Sequence, residues 1–392
     1  MTRAHLAQLA RDALRYPGRL ALAMVLAWGV CVTVWRFHSG LGAVTHLSDG
    51  MPWGLWIGFD VLCGVALAAG GFSVMALVHL FGLTRLRPIV PATVLTAFLG
   101  YILVSVGLLY DLGKPYNMWH VFIMHNPRSV MFEVAWCVIL YTTVLAIEFS
   151  GLVVERLHWR RAVAFLGRLT VPAVLAGVLL STLHQSSLGT LFLIVPGKLY
   201  KLWYSPYLPL MFFFSALAVG FAMVIFESYL SAFVFGRSLE REILVDLARI
   251  LLVTVVFYLG IKLEDLYARD AIGALFEARP ETYCFWLELA LLAVPAALLA
   301  FERVRWSQDA TFLCATMVVL GVVINRLNVS LVGTYAASGS AYWPSFQELS
   351  VSVFLVTAGV LAFGLAVRFL GIFDAHAESA VPAEHDACRE CV

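Results

Sequence analysis

Asp60, Asp111, Glu133 and His184 lie within or at the rims of long apolar stretches of this 392-residue chain. A charge near the centre of a bilayer costs roughly 2.5–3.5 kcal/mol on insertion scales, so such residues usually face a protein interior and carry function. Asp60 follows Pro52 by eight residues, about 12 Å of descent at the helical rise. Glu133 follows Arg128 by five, roughly 7 Å by the same measure. Asp111 and His184 mark the ends of two further stretches, so all four belong near one end of one bundle, with Trp53, Trp56, Tyr101, Tyr110 and Gln185 in reach. A carboxylate, an imidazole and aromatics in apolar surroundings suit a lipophilic carrier that exchanges protons during redox chemistry. A quinone needs donors to both carbonyl oxygens, a proton acceptor and an apolar slot for its tail. A partly buried Glu133 can take the proton, and His184 can hydrogen-bond the ring. The competing reading is that Asp111 and His184 merely cap helix ends at the interface.

Other ionisable residues fall elsewhere at depth. Glu148 and Glu227 lie near the opposite end and suit either a proton path or pairing with basic loops. Glu264, Glu288 and Arg326 lie toward the same end as Glu133, with Asn325 and Asn328 beside them. An intramembrane Arg demands a partner, and a structural Glu288–Arg326 ion pair is expected. A membrane haem of the b type usually needs two facing histidines at matching depth. His79 and His184 sit near opposite ends and His120 and His125 in a loop, so no haem is expected. No cysteine cluster points to an intrinsic iron–sulfur centre or other metal site. Cys31, Cys63, Cys137, Cys284 and Cys314 read as small packing residues, and His385, Cys388 and Cys391 make half a metal site at most.

The elements that must hold these residues follow from composition. Hydrophobic residues are 61% of the chain and charged ones 13%, about half the charge of a soluble domain. The net charge of +1 and the lack of a basic run give no sign of nucleic-acid binding. Apolar stretches recur at 19–37, 54–80, 90–111, 129–150, 167–185, 209–235, 244–264, 283–301, 311–331 and 348–370, each long enough to cross a hydrocarbon core. The fold class is therefore all-α, an integral membrane protein of about ten helices in contact with lipid. A short segment, 1–18, precedes them and a tail, 371–392, follows. The first stretch is not a cleavable signal, because Trp35, Arg36 and Phe37 follow its apolar run.

Arginines at 3, 11, 15, 19, 85, 87, 156, 160, 161, 168, 237, 241, 303, 305, 368 and 389 fall on one set of loops and tails. The other set holds mainly Lys114, Arg128, Lys198, Lys201, Arg269 and Arg279. That bias places both termini in the cytoplasm. The outer loops are longer and rich in Pro, Trp, Tyr and Gly, suiting interfacial anchoring or a platform for a partner subunit. A parallel duplication is also legible: Pro52 matches Pro209, Asp111-Leu112 matches Asp265-Leu266, Glu133 matches Glu288, and Glu148 matches Glu302, at nearly constant separation. The expected units are two four-helix bundles, 54–185 and 209–331, flanked by the first and last helices.

The stretch Gly40-Leu-Gly-Ala-Val-Thr-His-Leu-Ser-Asp-Gly-Met-Pro-Trp-Gly-Leu-Trp-Ile-Gly-Phe-Asp60 resembles the membrane subunit of hydrogenase-2-type enzymes. So do Ser129-Val-Met-Phe-Glu133, Ser181-Thr-Leu-His-Gln-Ser-Ser-Leu-Gly189 and Asn325-Arg-Leu-Asn-Val-Ser330. The likeness covers nearly the whole chain and places it in the broader NrfD-like family, with the polysulfide reductase membrane subunits. The resemblance implies a haem-free, quinone-reactive subunit of a respiratory complex in the bacterial cytoplasmic membrane, using menaquinone or ubiquinone. It implies an extracytoplasmic iron–sulfur partner and, through it, a catalytic subunit, a hydrogenase or another oxidoreductase. By motif position Glu133 and His184 would belong to the quinone and proton site, with Asp60 nearby; Trp56, Tyr101, Asp111 and Gln185 are candidate quinone-binding residues. The cysteine tail is outside the family pattern. Two other readings remain, a secondary transporter and a passive anchor. Polar residues concentrated at one end, and no pair of Gly/Pro-interrupted helices, argue against the transporter.

Overall fold

The computed structural model describes residues 17–194, 197–339 and 342–373. The terminal segment up to residue 16, and the tail with His385, Cys388 and Cys391, lie outside the described residues. Among the described residues, ten helices are long and apolar enough to cross a membrane. They are α1 (Pro17–Ser39), α2 (Trp56–His79), α3 (Val90–Asp111), α4 (Val130–Arg156), α5 (Arg160–Leu191), α6 (Leu208–Phe235), α7 (Arg241–Ala268), α8 (Pro280–Leu299), α9 (Gln308–Ser338) and α10 (Phe346–Leu370). In hydrocarbon every backbone N–H and C=O must be satisfied within the protein, and these helices do so locally. Their starts follow ordinary chemistry. Pro91, Pro209 and Pro280 occupy first turns, where the missing N–H costs nothing. Ser129 caps α4, and Ser345 with Glu348 forms a capping box on α10.

Helix α5 is longer than expected, starting at Arg160 rather than near 167. The short connection from α4, whose basic residues were expected to be loop, is largely helical.

The helices form two four-membered cycles. In the first, α2 packs on α3, α3 on α4, α4 on α5 and α5 on α2; in the second, α6, α7, α8 and α9 repeat the pattern. The cycles meet where α5 packs on α6 and where α2 packs on α6 and α9, while α10 joins α1 to α2 and α3. One end of the molecule carries the long aromatic loops and the other the arginine-rich connections. They are called here the loop end and the arginine end.

Helix α2 forms the one span expected at 54–80 but is internally irregular. It opens as a wide π-helical segment, Trp56–Cys63, continues as Gly64–Leu67, breaks at Ala68–Ala69 and resumes over Gly70–His79. Helix α9 likewise passes through a π-helical segment at Asn328–Val332. So two helices are irregular, but only α2 is broken, and no pair of Gly/Pro-interrupted helices is formed among the described residues. They do not occupy matching places in the two cycles: α2 begins the first and α9 ends the second.

The break in α2 is also a contact point. A Cβ added to Gly220 of α6 would lie 2.8 Å from the carbonyl carbon of Ala69 and from the Gly70 nitrogen, both backbone atoms. Only a residue without a side chain permits that approach, as small residues commonly do between membrane helices. Gly220→Leu is therefore expected to cost about 1–3 kcal/mol or more through overpacking against backbone that cannot move aside. Gly260→Ala, whose added Cβ meets nothing within 4 Å, should leave stability nearly unchanged. Detergent thermal-unfolding midpoints of the two variants check this; equal midpoints would refute the close-packing argument.

Candidate functional site

Helix α5 presents His184, Gln185 and Ser187 inward near the loop end, and His184 and Ser187 share a face by their three-residue spacing. The His184 imidazole is completely buried, its Nδ1 lying 3.1 Å from the Tyr101 hydroxyl of α3. Tyr101 is itself buried and packs edge-on against Tyr141 of α4 at 4.6 Å between centroids. One turn along α5, the Ser187 hydroxyl donates to Glu133 Oε1 at 2.5 Å. Glu133, one turn into α4, is exposed on the surface of the chain rather than partly buried as expected. Its carboxylate thus lies at the surface, one turn of α5 from the buried Tyr101–His184 pair.

Gln185 explains part of this arrangement. At the break in α2 the Ala69 N–H bonds to Ala66 O, three residues back, instead of following the α-helical pattern to Val65. The Gln185 side-chain amide donates to Val65 O at 3.1 Å. The Gln185 Oε1 and the His184 Nε2 are buried and have no hydrogen-bond partner. Buried polar atoms are nearly always paired, so two orphans on adjacent residues point to a ligand or water that the protein itself does not supply.

The other expected members of this group are elsewhere. Asp60 lies in the π-helical segment of α2, where its carboxylate accepts from Ser352 of α10 at 2.6 Å. A Cβ on Gly107 of α3 would lie 2.9 Å from Asp60 Cβ. Trp56 donates to Glu348 O of α10 at 3.1 Å and packs edge-on against Tyr110. Asp111 sits at the end of α3 near the charges of Arg36 and Glu348. The expected single cluster is thus two. Tyr101 of α3 meets His184 of α5, Glu133 of α4 meets Ser187 one turn along α5, and Gln185 turns toward α2, while Trp56, Asp60 and Asp111 face α1 and α10. Position along the helices could be read from the sequence, but direction around them could not.

That second cluster has residues the sequence reading passed over. Arg36 of α1 is buried and donates to Tyr110 O at 2.8 Å and Leu112 O at 2.6 Å, satisfying carbonyls at the end of α3. Glu348 accepts from the Tyr342 hydroxyl at 2.5 Å and from the Ser345 N–H at 2.8 Å. Tyr342, in the loop before α10, also accepts from Leu55 N–H at 2.7 Å. Burial, followed by its bond to Glu348, pushes the Tyr342 hydroxyl above its ordinary pKa. Tyr342 therefore stays protonated and clamps the start of α2 to α10.

Glu148 and Glu227 do not share a cavity. Glu148 borders a cavity of about 90 Å³ with Met75, Val90 and Thr170. Glu227 of α6 borders a separate one of about 50 Å³ with Thr93, Ser228 and Ser231.

In the second cycle the expected Glu288–Arg326 pair is not formed. The completely buried Glu288 carboxylate pairs with Lys262 of α7 and also accepts from Trp203 Nε1 at 3.1 Å, Asn325 at 2.9 Å and Asn328 at 3.0 Å. Arg326 instead donates to Asn325 Oδ1 at 2.8 Å and to Phe212 O and Ser215 at 2.9 Å each, with its guanidinium 3.7 Å from the Phe212 ring centroid. Lysine's compact ammonium fits beside an already crowded carboxylate, whereas the wider guanidinium is satisfied by a backbone carbonyl, a hydroxyl and a ring face. Lys262 had the same signal as Arg326, a lone cation in an apolar run. Lys262→Met would leave Glu288 as an uncompensated buried charge, and is expected to destabilise the protein by about 3–5 kcal/mol. A midpoint equal to wild type in detergent thermal unfolding would show that the pair is dispensable.

Comparison with known proteins is consistent with this architecture. The family described as "Polysulphide reductase, NrfD" matches residues 43–336. A protein of Nitratidesulfovibrio vulgaris is 38% identical over 367 residues, covering 88% of this chain and 92% of its own. The "Probable Ni/Fe-hydrogenase 2 b-type cytochrome subunit" of Escherichia coli is 33% identical over 342 residues, 86% of this chain and 87% of its own. The "Menaquinone reductase, integral membrane subunit" of Nitratidesulfovibrio vulgaris is 28% identical over 381 residues, 90% of each chain. This multi-pass membrane protein, with ten apolar helices in two matching cycles, belongs to the NrfD family.

Proposed function

We propose that this chain is the quinone-reactive membrane subunit of a respiratory oxidoreductase complex, passing electrons between an iron–sulfur subunit docked on its loop end and the quinone pool. The observation that carries the proposal is the buried Tyr101–His184 pair, with the unpartnered His184 Nε2 and Gln185 Oε1 beside it. Its relatives are membrane subunits of oxidoreductases, and one is named for menaquinone. Menaquinone or ubiquinone would present a carbonyl or hydroxyl oxygen to His184. The Tyr101 contact at Nδ1 orients the ring, so that Nε2 faces its partner in a fixed tautomer. Glu133 would give or take the proton, with Ser187 holding its carboxylate toward the buried pair. Trp56, Asp60 and Asp111 take the separate task of fixing α10 and α1 to the first cycle.

A haem does not fit this donor set. Among the described residues, His184 is tied to Tyr101, and His79, bonded at Nδ1 to Met75 O, belongs to the opposite end of α2. No two helical histidines face each other at one depth. The relative's "b-type cytochrome" designation stays with that protein.

The arginine end would face the cytoplasm, by the excess of Lys and Arg in short cytoplasmic loops. The loop end would then lie outside the bacterial cytoplasmic membrane, where exposed Tyr116, Trp119, Phe276 and Trp343 offer aromatic surface to the iron–sulfur subunit. Glu148 and Glu227 would be inner proton stations if protons are drawn from the cytoplasm. Their separate cavities favour two independent approaches over one shared path.

Titration of the purified protein with a fluorescent quinol analogue tests the site. Wild type should bind saturably. His184→Ala should weaken binding roughly tenfold, the equivalent of one hydrogen bond to a buried group. Glu133→Gln should retain binding and assembly but lose quinone turnover in the reconstituted complex. Undiminished binding by His184→Ala together with normal turnover by Glu133→Gln would sink the assignment. Orientation has its own check: a membrane-impermeant maleimide should label Asn117→Cys in intact cells, and Arg161→Cys only after permeabilisation. The reverse pattern would invert the topology.

A further inference from the structure

One large apolar space takes no part in the Tyr101–His184 site. It is a crevice of about 440 Å³ bordered by α2, α3, α6 and α10. Its walls are almost wholly apolar, with Leu67, Leu103, Phe226 and Phe363 among them, and Asp60 and Glu227 as the two carboxyl groups on its border. It runs along the helices. Its lining extends from Leu355 to Gly364 on α10, about 13 Å of helix, and from Met223 to Phe235 on α6, about 18 Å. Leu230, Val234, Val356 and Val360 border it and are also exposed on the outside of the chain, so it opens sideways to the bilayer.

Protein interiors are packed as densely as organic crystals, and an apolar cavity stays dry. A crevice open to hydrocarbon will therefore be filled by hydrocarbon, not by water. What lies at its ends selects the molecule. The Asp60 carboxyl stands toward the loop end and disfavours an anionic head there. At the arginine end, Arg237 follows the lining residue Phe235 by two positions and borders the neighbouring cavity with Ser238 and Glu240; its guanidinium packs 3.7 Å from the Phe373 ring centroid. Arg368 follows Val360 and Gly364, both lining residues, at four-residue spacing along one face of α10, and is exposed.

We infer that this crevice is a binding site for an anionic glycerophospholipid, one acyl chain lying between α6 and α10 and the phosphate held at the arginine end by Arg237 and Arg368. The chain fills the gap between α10 and the second cycle, which α10 does not reach as it reaches α1 and α3. The site is independent of the redox reading and stands or falls separately from it.

The test uses the full chain in nanodiscs of equal parts phosphatidylglycerol and phosphatidylethanolamine with identical chains, released for native mass spectrometry. Wild type should retain one phospholipid, with phosphatidylglycerol enriched roughly tenfold through two cationic contacts. The Arg237→Gln/Arg368→Gln double variant should keep a lipid but lose that preference. Gly364→Leu, at a position where an added Cβ meets nothing within 4 Å, combined with Val360→Trp, should abolish retention. In parallel, phosphatidylglycerol bearing a diazirine on its acyl chain should label wild type within 59–67 and 355–364 on irradiation. This arm needs no variant and keeps the test open if a substitution impairs folding. Retention without headgroup preference, labelling confined to other segments, or displacement of the diazirine lipid by menaquinone would each overturn the assignment, the last in favour of a quinone tail. Loss of quinol binding by His184→Ala leaves all of these results unchanged.

Discussion

The hydrogen bond from Gln185 to Val65 O is a small contact on which much of the first cycle depends. Water in the bilayer core cannot satisfy a backbone carbonyl that has left the helical ladder, so the protein must supply a donor. Once Gln185 does so, α2 can break at Ala68–Ala69 without the usual penalty. The break lets the backbone of α2 approach Gly220 of α6, which brings the two cycles together. It also fixes the rotation of α5, and with it the positions of His184 and Ser187. One side-chain amide thus links the backbone geometry of α2, the packing between cycles and the polarity of the candidate site.

The other polar groups divide by whether their partners are complete. Around Glu288, the Lys262 ammonium, an indole N–H and two amides leave no hydrogen-bonding capacity idle. Around Glu348, Tyr342 and the capping box do the same, and Arg36 closes the end of α3. A buried ion pair adds little net stability over a hydrophobic replacement, because desolvation offsets most of the attraction. Its effect is to penalise wrong arrangements, and in both networks the partners come from different helices or loops. They specify which helix lies beside which. His184 Nε2 and Gln185 Oε1, like Asp111 Oδ1 and Glu227 Oε1, are buried without such partners. Fully paired networks build the scaffold, and an incompletely paired one is where an outside molecule has something to offer.

The sequence made the helices legible because hydrocarbon thickness imposes a length and an apolarity that little else satisfies. The motifs at 40–60, 129–133, 181–189 and 325–330 made the family legible. Depth was also readable: Asp60, Glu133 and His184 lie toward the loop end as expected. Direction was not. Hydropathy along α2 is high on every face, so nothing in the pattern distinguishes the side of Asp60 from the side of Val65. The π-helical segment at Trp56–Cys63 then shifts the angular register that a regular helix would have given. Partner choice failed for a related reason. Glu288 and Arg326 are close enough to interact electrostatically, but Lys262, from a third helix, takes the carboxylate, and which of two cations wins is a matter of packing.

The exposure of Glu133 changes how the candidate site is reached. A carboxyl sealed in the bundle would require its ligand to enter from the loop end, past the packed loops. A carboxyl on the surface of α4, bonded to Ser187 of its neighbour, instead marks a lateral approach at the α4–α5 seam. These two helices are the least enclosed of the first cycle, with only 22% and 17% of their spans buried, so a lateral approach between them would be from the bilayer. A hydrophobic carrier diffusing in the bilayer would meet Glu133 first, at the surface, and the buried imidazole second. That order suits proton exchange: the group that must communicate with water lies outermost, near the loop end, and the group that must orient the ring lies where no water competes for its hydrogen bond. The tenfold and turnover effects assigned to His184 and Glu133 are therefore separable because burial differs between the two residues, one acting on affinity and the other on proton transfer.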